Sequence, residues 1–420
     1  MNIRRSAAVL AATAVIGTAT APAAFADEAA PSPSPSVALP SGLYGTADPT
    51  YDGVWRQSLA LLAQDTVKVV PSAKAVDWLT GQQCADGAFA AFRADSGTAC
   101  GAKTAVDTNS TAAAVQALAA LGGQDAAVRK SVDWLRSVQN KDGGWGYNPG
   151  SPSDTNSTSV VIGALAASGT KPADVASPDG KSPYDALLAL AIPCAEKDGG
   201  AFAYQPDKKG KLAANADATA AGIVGGLGVG LAATAAEAPK ETSTGCDAAS
   251  AKVPDGAARN GAAQLALAIL KDGHLTSTLP GADDQPDYGN TADAVVALAA
   301  AGRTDEGEKA LAWLEGNATA WADQGGPAAY AQLIFAAHAV GSDPRAFGST
   351  DLVRQLNATG PAPQAKTASP GGKAEAAKDK AAESSDDGGG VSVWWIVGVG
   401  LVGGIGIGFL LSGRKKKQQL

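Results

Sequence analysis

Four stretches of this sequence set hydrogen-bonding side chains at one repeated spacing. Asp107, Asp154, Asn215 and Asp287 each stand four residues before a threonine, and Thr111, Thr158, Thr219 and Thr291 each open an alanine-rich run. Asp, Asn and Thr accept hydrogen bonds from the orphan N–H groups of a helix start. At any single position capping is the stronger expectation, and a ligand rich in amides or hydroxyls is the functional alternative. Asp283, Asp284 and Asp287 make an acidic loop whose clustered oxygens suit a hard cation, although a solvated loop ending in a helix cap is the simpler reading. The chain has two histidines, His274 and His338, which is sparse material for a zinc site. No metal is expected. Cys84, Cys100, Cys194 and Cys246 form an even set, expected as two disulfides if the chain is exported. Three pairings are open. Pairing of nearest neighbours would staple one loop in each of two repeats, contributing about 3–4 kcal/mol per bridge in a chain-entropy view.

These residues need elements to position them, and the elements repeat. Val76-x-Trp78-Leu79, Val132-x-Trp134-Leu135 and Leu311-x-Trp313-Leu314 share one pattern, and the spacing of Val128, Val132 and Leu135 is helical. Glycine-rich loops follow: Gln83-x-x-x-Gly87-x-Phe89, Gln139-x-x-x-Gly143-x-Trp145 and an altered copy, Glu196-x-x-x-Gly200-x-Phe202. The threonine-led helix comes next. Leu333 to Val340 supplies a fifth such helix, with Gly326 in the column of aspartates. Units of this kind cannot bury their faces singly and must stack. A helix near Asp52 to Gln64 and another near Leu352 to Leu356 could complete a sixth pair. Alternating β-branched runs are missing, so the fold class expected is all-α.

The Gln-x-x-x-Gly-x-aromatic loop joined to an Asp-x-x-x-Thr-Ala helix start resembles the prenyltransferase and squalene oxidase (terpenoid cyclase) repeat, over roughly residues 50 to 358. The resemblance implies an α/α toroid of about five to six helical hairpins, with inner helices around a central cavity and outer helices as a jacket. It also brings the threonine column and its partners to one mouth of the ring. Cyclases of this repeat start one inner helix with Asp-x-Asp-Asp-Thr-Ala, and the middle Asp protonates an alkene. Laid on that motif, the copies starting at Asp107, Asp154 and Asp287 hold Asn109, Asn156 and Gly289 at the acid position. The cyclase acid is therefore expected to be lost in every copy. The zinc ligands of the prenyltransferases and the Cys-Gly-Glu-Gln of thioester domains are missing too. What the resemblance leaves is binding, in the manner of intrinsic-factor-type cobalamin carriers. The candidate ligand residues are Asp107, Asn109, Thr111, Asp154, Asn156, Thr158, Asn215, Thr219, Asp287 and Thr291, with no catalytic residue.

The ends imply export and anchoring. Residues 1–26 read as a signal peptide, with Arg4 and Arg5 before an apolar stretch and Ala24-Phe25-Ala26 at the cleavage site. A Pro/Ser-rich spacer over 27–47 leads into the toroid over 48–358, and a linker over 359–390 follows. Residues 391–412 are apolar enough to span a membrane, with Trp394 and Trp395 at the outer end and a basic tail over 413–420 inside. Gly400, Gly404 and Gly408 share a face that could pair two such helices. A net charge of −8 argues against nucleic acid. The expectation is a non-enzymatic, membrane-anchored extracellular protein that holds a small molecule, a cobalamin-like one included, or a partner protein. A transporter, or a separate small β-domain protein closing over the ligand, would complete it. The alternatives are an enzyme acting on isoprenoid lipids and a structural or adhesive surface module.

Overall fold

Alanine-rich inner stripes, opened by a capping residue and closed by glycine, decide the architecture of this chain. The structure is a computed structural model that describes residues 39–238, 245–278 and 285–365. Among the described residues it contains twelve α-helices: α1 (Gly53–Thr66), α2 (Ala73–Gly81), α3 (Thr108–Leu121), α4 (Asp125–Ser137), α5 (Thr155–Ala167), α6 (Pro183–Leu190), α7 (Ala216–Gly226), α8 (Pro254–Leu270), α9 (Tyr288–Ala300), α10 (Thr304–Asn317), α11 (Thr319–Ala339) and α12 (Leu352–Ala358). The described sheet is two-stranded and minimal: β1 (Phe89–Ala90) pairs antiparallel with β2 (Val106–Asp107).

The odd-numbered helices form the inner layer. Each packs on the next, α1 on α3, α3 on α5, α5 on α7, α7 on α9 and α9 on α11, and α11 returns to α1, so the ring closes. Their sequences suit this place. In α3, α5 and α9 nearly every residue of the first three turns is buried, and most are Ala, Ser, Thr or Val. Small side chains let the helix axes approach closely, and a β-carbon added at Gly222 or Gly225 would run into Phe202 or Ser159. The even-numbered helices form the jacket and carry the Trp-Leu patterns, with Leu79, Leu135 and Leu314 fully buried against the inner layer.

The two ends of the toroid meet where the ring closes; α12 packs on α11 and α1 has its own outer partner in α2, so the six hairpins do not include the expected pair of α1 with α12. Tyr44 is fully buried; its N–H donates to Gln57 Oε1 at 2.8 Å and its hydroxyl to Gln64 Oε1 at 3.1 Å. Gln64 Nε2 donates to Asn357 Oδ1 at 2.7 Å, and the N–H of Gly45 donates to the carbonyl of Thr359. Tyr44 and Gly45 thus meet the segment after α12 beside α1.

The disulfides pair nearest neighbours, Cys84 with Cys100 and Cys194 with Cys246, leaving no free cysteine. Inner helix α11 is bent: Gly326 takes a left-handed φ of 66° and Pro327 then starts the half that faces the ring. Among the described residues no helix is long and apolar enough to cross a membrane. The expected signal peptide, membrane helix, basic tail and glycine face at Gly400, Gly404 and Gly408 lie outside the described residues, as do Asp283 and Asp284.

Candidate functional site

Four of the six inner helices, α3, α5, α7 and α9, begin in the same way, whereas α1 and α11 carry no side-chain cap. Asp107 accepts a hydrogen bond from the Ser110 N–H at 2.6 Å, Asp154 from the Ser157 N–H at 2.6 Å, Asn215 from the Ala218 N–H at 2.8 Å and Asp287 from the Asn290 N–H at 3.1 Å. These are side-chain caps of the orphan donors. The threonines hold the preceding loop. Thr111 Oγ1 accepts from the Phe89 N–H, Thr158 from Trp145, Thr219 from Phe202 and Thr291 from Leu275, all at 2.9–3.0 Å. Each glycine-rich loop is thus stitched to its own inner helix. The Gly143 of one loop has a φ of 93°, and a β-carbon there would overlap the carbonyl of Ser182 at the next outer helix.

The residues between cap and threonine do something different. Asn109, Asn156 and Asp217, each two residues past a cap, point into a chamber of about 100 Å³ at the centre of the ring. Gln116, Ser159 and Asp293 complete its polar wall, and Trp55, Val160, Ala220, Ala221, Val224 and Val296 the apolar one. The lining repeats at helical intervals: Asn156 with Ser159 and Val160, Asp217 with Ala220, Ala221 and Val224. On α9 the position two past the cap is Gly289, and the carboxylate appears one turn later as Asp293.

One end of the chamber has a floor. The segment after α7 brings in Gly230 and Leu231, with the Leu231 N–H donating to Gln116 Oε1 at 2.8 Å and the Ala236 N–H to the Ala299 carbonyl at 3.0 Å. Gln116 and Ala299 belong to α3 and α9, which stand opposite each other in the ring, so this strap crosses its diameter. It meets the C-terminal parts of both helices. The other end is ringed by the helix starts.

The chamber leaves polar atoms unpaired. Asn109 is 2% exposed, and both its amide nitrogen and its oxygen lack a hydrogen-bond partner. Asn156 Oδ1 and Ser159 Oγ lack one as well. Buried polar groups are nearly always paired, since leaving one bare costs about 1–3 kcal/mol. Asp217 accepts from Asn156 Nδ2 at 2.6 Å, and Asp293 from Gln332 Nε2 at 3.2 and 3.3 Å. Among the described residues no Lys or Arg lines this space.

Burial without a counter-charge raises the carboxylates. Asp217 is pushed up to about 6, and Asp293 to about 7, where the nearby Asp217 and Asp287 charges add to the burial. Both side chains keep some surface open to the chamber, which moderates the effect without removing it. Asp107 and Asp154 also rise to about 6 by burial, opposed by their cap hydrogen bonds, and Asp287 rises for the same reason.

Beside the helix starts lies an aromatic shelf. Tyr288 stacks on Trp313 and Trp321, with ring centroids 5.3 and 5.8 Å apart, and His274 lies over Trp313 at 4.1 Å. All four rings are part-exposed. His338 on α11 is half-buried and held below its ordinary value by burial, with Lys68 adding to it. Among the described residues no group of three or more His, Cys, Asp or Glu could hold a metal ion. A wider groove of about 490 Å³ lies between the Asn140–Asp142 loop and α6. Asn140, Asp142 and Ser153 in it are already bonded: Asn140 Nδ2 donates to the Ser151 carbonyl and to Ser153 Oγ, and Ser153 Oγ donates to Asp142 Oδ1.

Of the residues expected to meet a ligand, Asn109 and Asn156 line the chamber. The Asp107, Asp154, Asn215 and Asp287 caps and the four threonines spend their hydrogen bonds inside the fold. Asp217 and Asp293 are the residues that the repeat pattern failed to bring forward. The expectation that every copy has lost the acid is corrected here. Asn215-Ala216-Asp217-Ala218-Thr219-Ala220 is the copy that keeps a carboxylate at the acid position, hidden because its first residue is Asn rather than Asp. Asp293 carried a signal as well, since it stands one helical turn after Gly289 on the same face.

Residues 44–189 match the family described as prenyltransferase alpha-alpha toroid domain. A search of curated proteins finds no match. Among solved structures, a crystal structure of a protein from Actinoplanes is similar, at 18% identity and a TM-score of 0.43, over 71% of this chain and 80% of that one.

Proposed function

We propose that this toroid, whose residues 44–189 match the family described as prenyltransferase alpha-alpha toroid domain, serves as a receptor at the cell surface and not as a catalyst. A small molecule or a partner's side chain would seat over the helix starts and place a polar group in the central chamber. The observation that carries this reading is the set of unpaired, buried amide and hydroxyl atoms at Asn109, Asn156 and Ser159. A protein that needed only to pack its centre would fill such positions with apolar groups. The aromatic shelf of Tyr288, Trp313 and Trp321 supplies a surface for the flat or apolar part of the same ligand. A ligand of corrinoid size exceeds a chamber of about 100 Å³, so it would lie above the mouth and lower only a side arm. The disulfides fit an oxidising compartment. With the signal-like N-terminus and the apolar 391–412 stretch, they support a membrane-anchored receptor that hands its ligand to a transporter or a covering partner.

Equilibrium dialysis of the purified full-length protein against cobalamin, other corrinoids and small polar solutes tests this. Saturable binding that is lost when Ala221→Leu fills the chamber is expected; no binding tighter than millimolar to any of them removes the receptor reading. Asp217 sustains a second reading, an acid acting on isoprenoid lipids, because a raised carboxyl at that position is what alkene protonation requires. A polyene chain needs a cavity of several hundred Å³, and one aromatic residue, Trp55, lines this one. Turnover of squalene or a prenyl diphosphate would put the enzyme reading first.

A further inference from the structure

The chamber's composition narrows the ligand, an inference that rests on the receptor reading above. We infer that the chamber is a primary-ammonium site: an alkylammonium head, borne by a free small amine or by a lysine side chain, is held by Asp217 and Asp293, with the amide oxygens of Asn109 and Asn156 as further acceptors.

Hydrogen-bond capacity points this way. A carboxylate offers about four lone-pair sites, yet Asp217 accepts one hydrogen bond from a side chain and Asp293 two long ones from a single nitrogen. Asn109 can present its oxygen inward from either amide orientation, because neither end is engaged. The unmet demand is for donors, and an ammonium brings three with no acceptor. Charge points the same way. Two carboxylates share a space that no described Lys or Arg lines, and buried charges are ordinarily paired. An anionic ligand would add repulsion.

Size and wall chemistry separate an amine from a metal ion. About 100 Å³ is room for roughly three waters, or for an ammonium with two or three carbons. Val160, Val224 and Val296 would line the alkyl stem, and Trp55 offers a ring face that attracts cations. A divalent ion would demand about six oxygens and no apolar wall.

The titration behaviour agrees. The groups facing Asp217 are Asn156 from α5, Asp287 and Asp293 from α9, and Tyr204 from the loop before α7. Those facing Asp293 are Asp217, Asp287 and Gln332 of α11. None is a cation, so an arriving ammonium would be the first positive charge in contact and would drive off the carboxyl protons. Affinity should therefore rise as pH climbs from 5 to 8 and stay level until the amine itself deprotonates near pH ~10.

The test is titration calorimetry on the full-length protein with n-propylammonium, with propan-1-ol and propionamide as neutral isosteres, and with Nα-acetyl-lysine methylamide as the peptide-borne amine. Propylammonium should bind at least tenfold more tightly than either isostere at pH 8, weaken at least tenfold by pH 5.5, and release protons on binding. Asp217→Asn and Asp293→Asn should each weaken it at least tenfold. The lysine derivative binding more tightly than propylammonium assigns the source to a protein partner, and the reverse order to a free amine. Isosteres that bind as well as the amine, or affinity that is flat across pH 5.5–8, overturn the inference; these arms use the wild-type chain and survive a misfolded variant. If every small probe fails while a corrinoid binds, the ammonium site falls and the receptor reading stands.

Discussion

In α5 the carboxylate of Asp154 accepts from both the N–H and the hydroxyl of Ser157, whereas Asn156, two residues along, leaves its carbonyl oxygen without a partner. The same contrast separates Asp107 from Asn109 in α3. In these helix starts one column is saturated and serves the fold; the neighbouring column is unsaturated and faces the chamber. A hundred-degree step per residue is enough to divide them, because two residues along a helix carry a side chain to the opposite face. The lesson concerns repeats in general. The residues that recur most faithfully are those that every unit needs for its own folding, and the site lies in the column where the copies differ: Asn109, Asn156, Asp217 and Gly289.

The sharpest test of the saturated column is its loop. Gly143→Ala places a β-carbon on a left-handed backbone and against the Ser182 carbonyl. A loss of about 2–4 kcal/mol is expected, read as a drop in the denaturation midpoint. Unchanged stability would mean that the loop is not clamped between α5 and the next outer helix.

Next in size is Thr158→Val. It keeps the shape and removes the acceptor of the Trp145 N–H, which lies 3.0 Å away in a buried site. Leaving that donor bare should cost about 1–3 kcal/mol, with Trp145 fluorescence reporting a loosened loop. If the cost is below about 0.5 kcal/mol, the column is not the structural stitch described here and its threonines return as ligand candidates.

These columns also mark what could be read from sequence. Capping and loop stitching are local, so Asp107, Thr111 and their repeats announced helix starts before any coordinates. The meeting of the two ends has no local signal, because it depends on Gln64 reaching Asn357 across 293 residues. The chamber was half legible. Asn109 and Asn156 stand in copies that begin with Asp, so the motif marks them; Asp217 stands in a copy that begins with Asn, which the motif does not match. Asp293 escaped because the motif ends at the threonine-alanine pair, while the helix face continues one turn beyond it. The strap that floors the chamber has no pattern at all. Its place follows from Gln116 reaching Leu231, a contact that no spacing rule foretells.

Both columns should show themselves in pH dependence. Asp107, Asp154 and Asp217 are raised to about 6 and Asp293 to about 7, from an ordinary value of 3.8. Between pH ~4 and ~7 the folded protein then binds more protons than the unfolded chain, so stability falls as pH rises through that window. Aspartates that are lowered, such as Asp48 and Asp207 in surface loops and Asp185 in the exposed first turn of α6, act below that window. The apparent melting temperature should be higher at pH 5 than at pH 7.5. Asp293→Asn removes the ionisable group most affected, and it should recover about 1–2 kcal/mol at pH 7.5 while leaving pH 5 nearly unchanged. A variant equally stable or less stable at pH 7.5 would mean that the carboxylates already have a counter-ion.

The smallest effect is also the most discriminating. Asn109→Leu replaces a buried amide that bonds to nothing with a side chain of similar volume. At a position whose amide served the fold, this would leave partners bare and cost about 1–3 kcal/mol. Asn109 has no such partners, so the change should be neutral or stabilising by about 0.5–1 kcal/mol in the ligand-free protein. The matching change at the saturated column, Asp107→Leu, removes the Ser110 cap and should lose about 1 kcal/mol or more. Urea midpoints for the two variants side by side decide the comparison. Opposite signs support a ring whose centre is kept polar at the expense of stability, while equal losses would return Asn109 to the scaffold and leave the chamber without a reason for its polar wall.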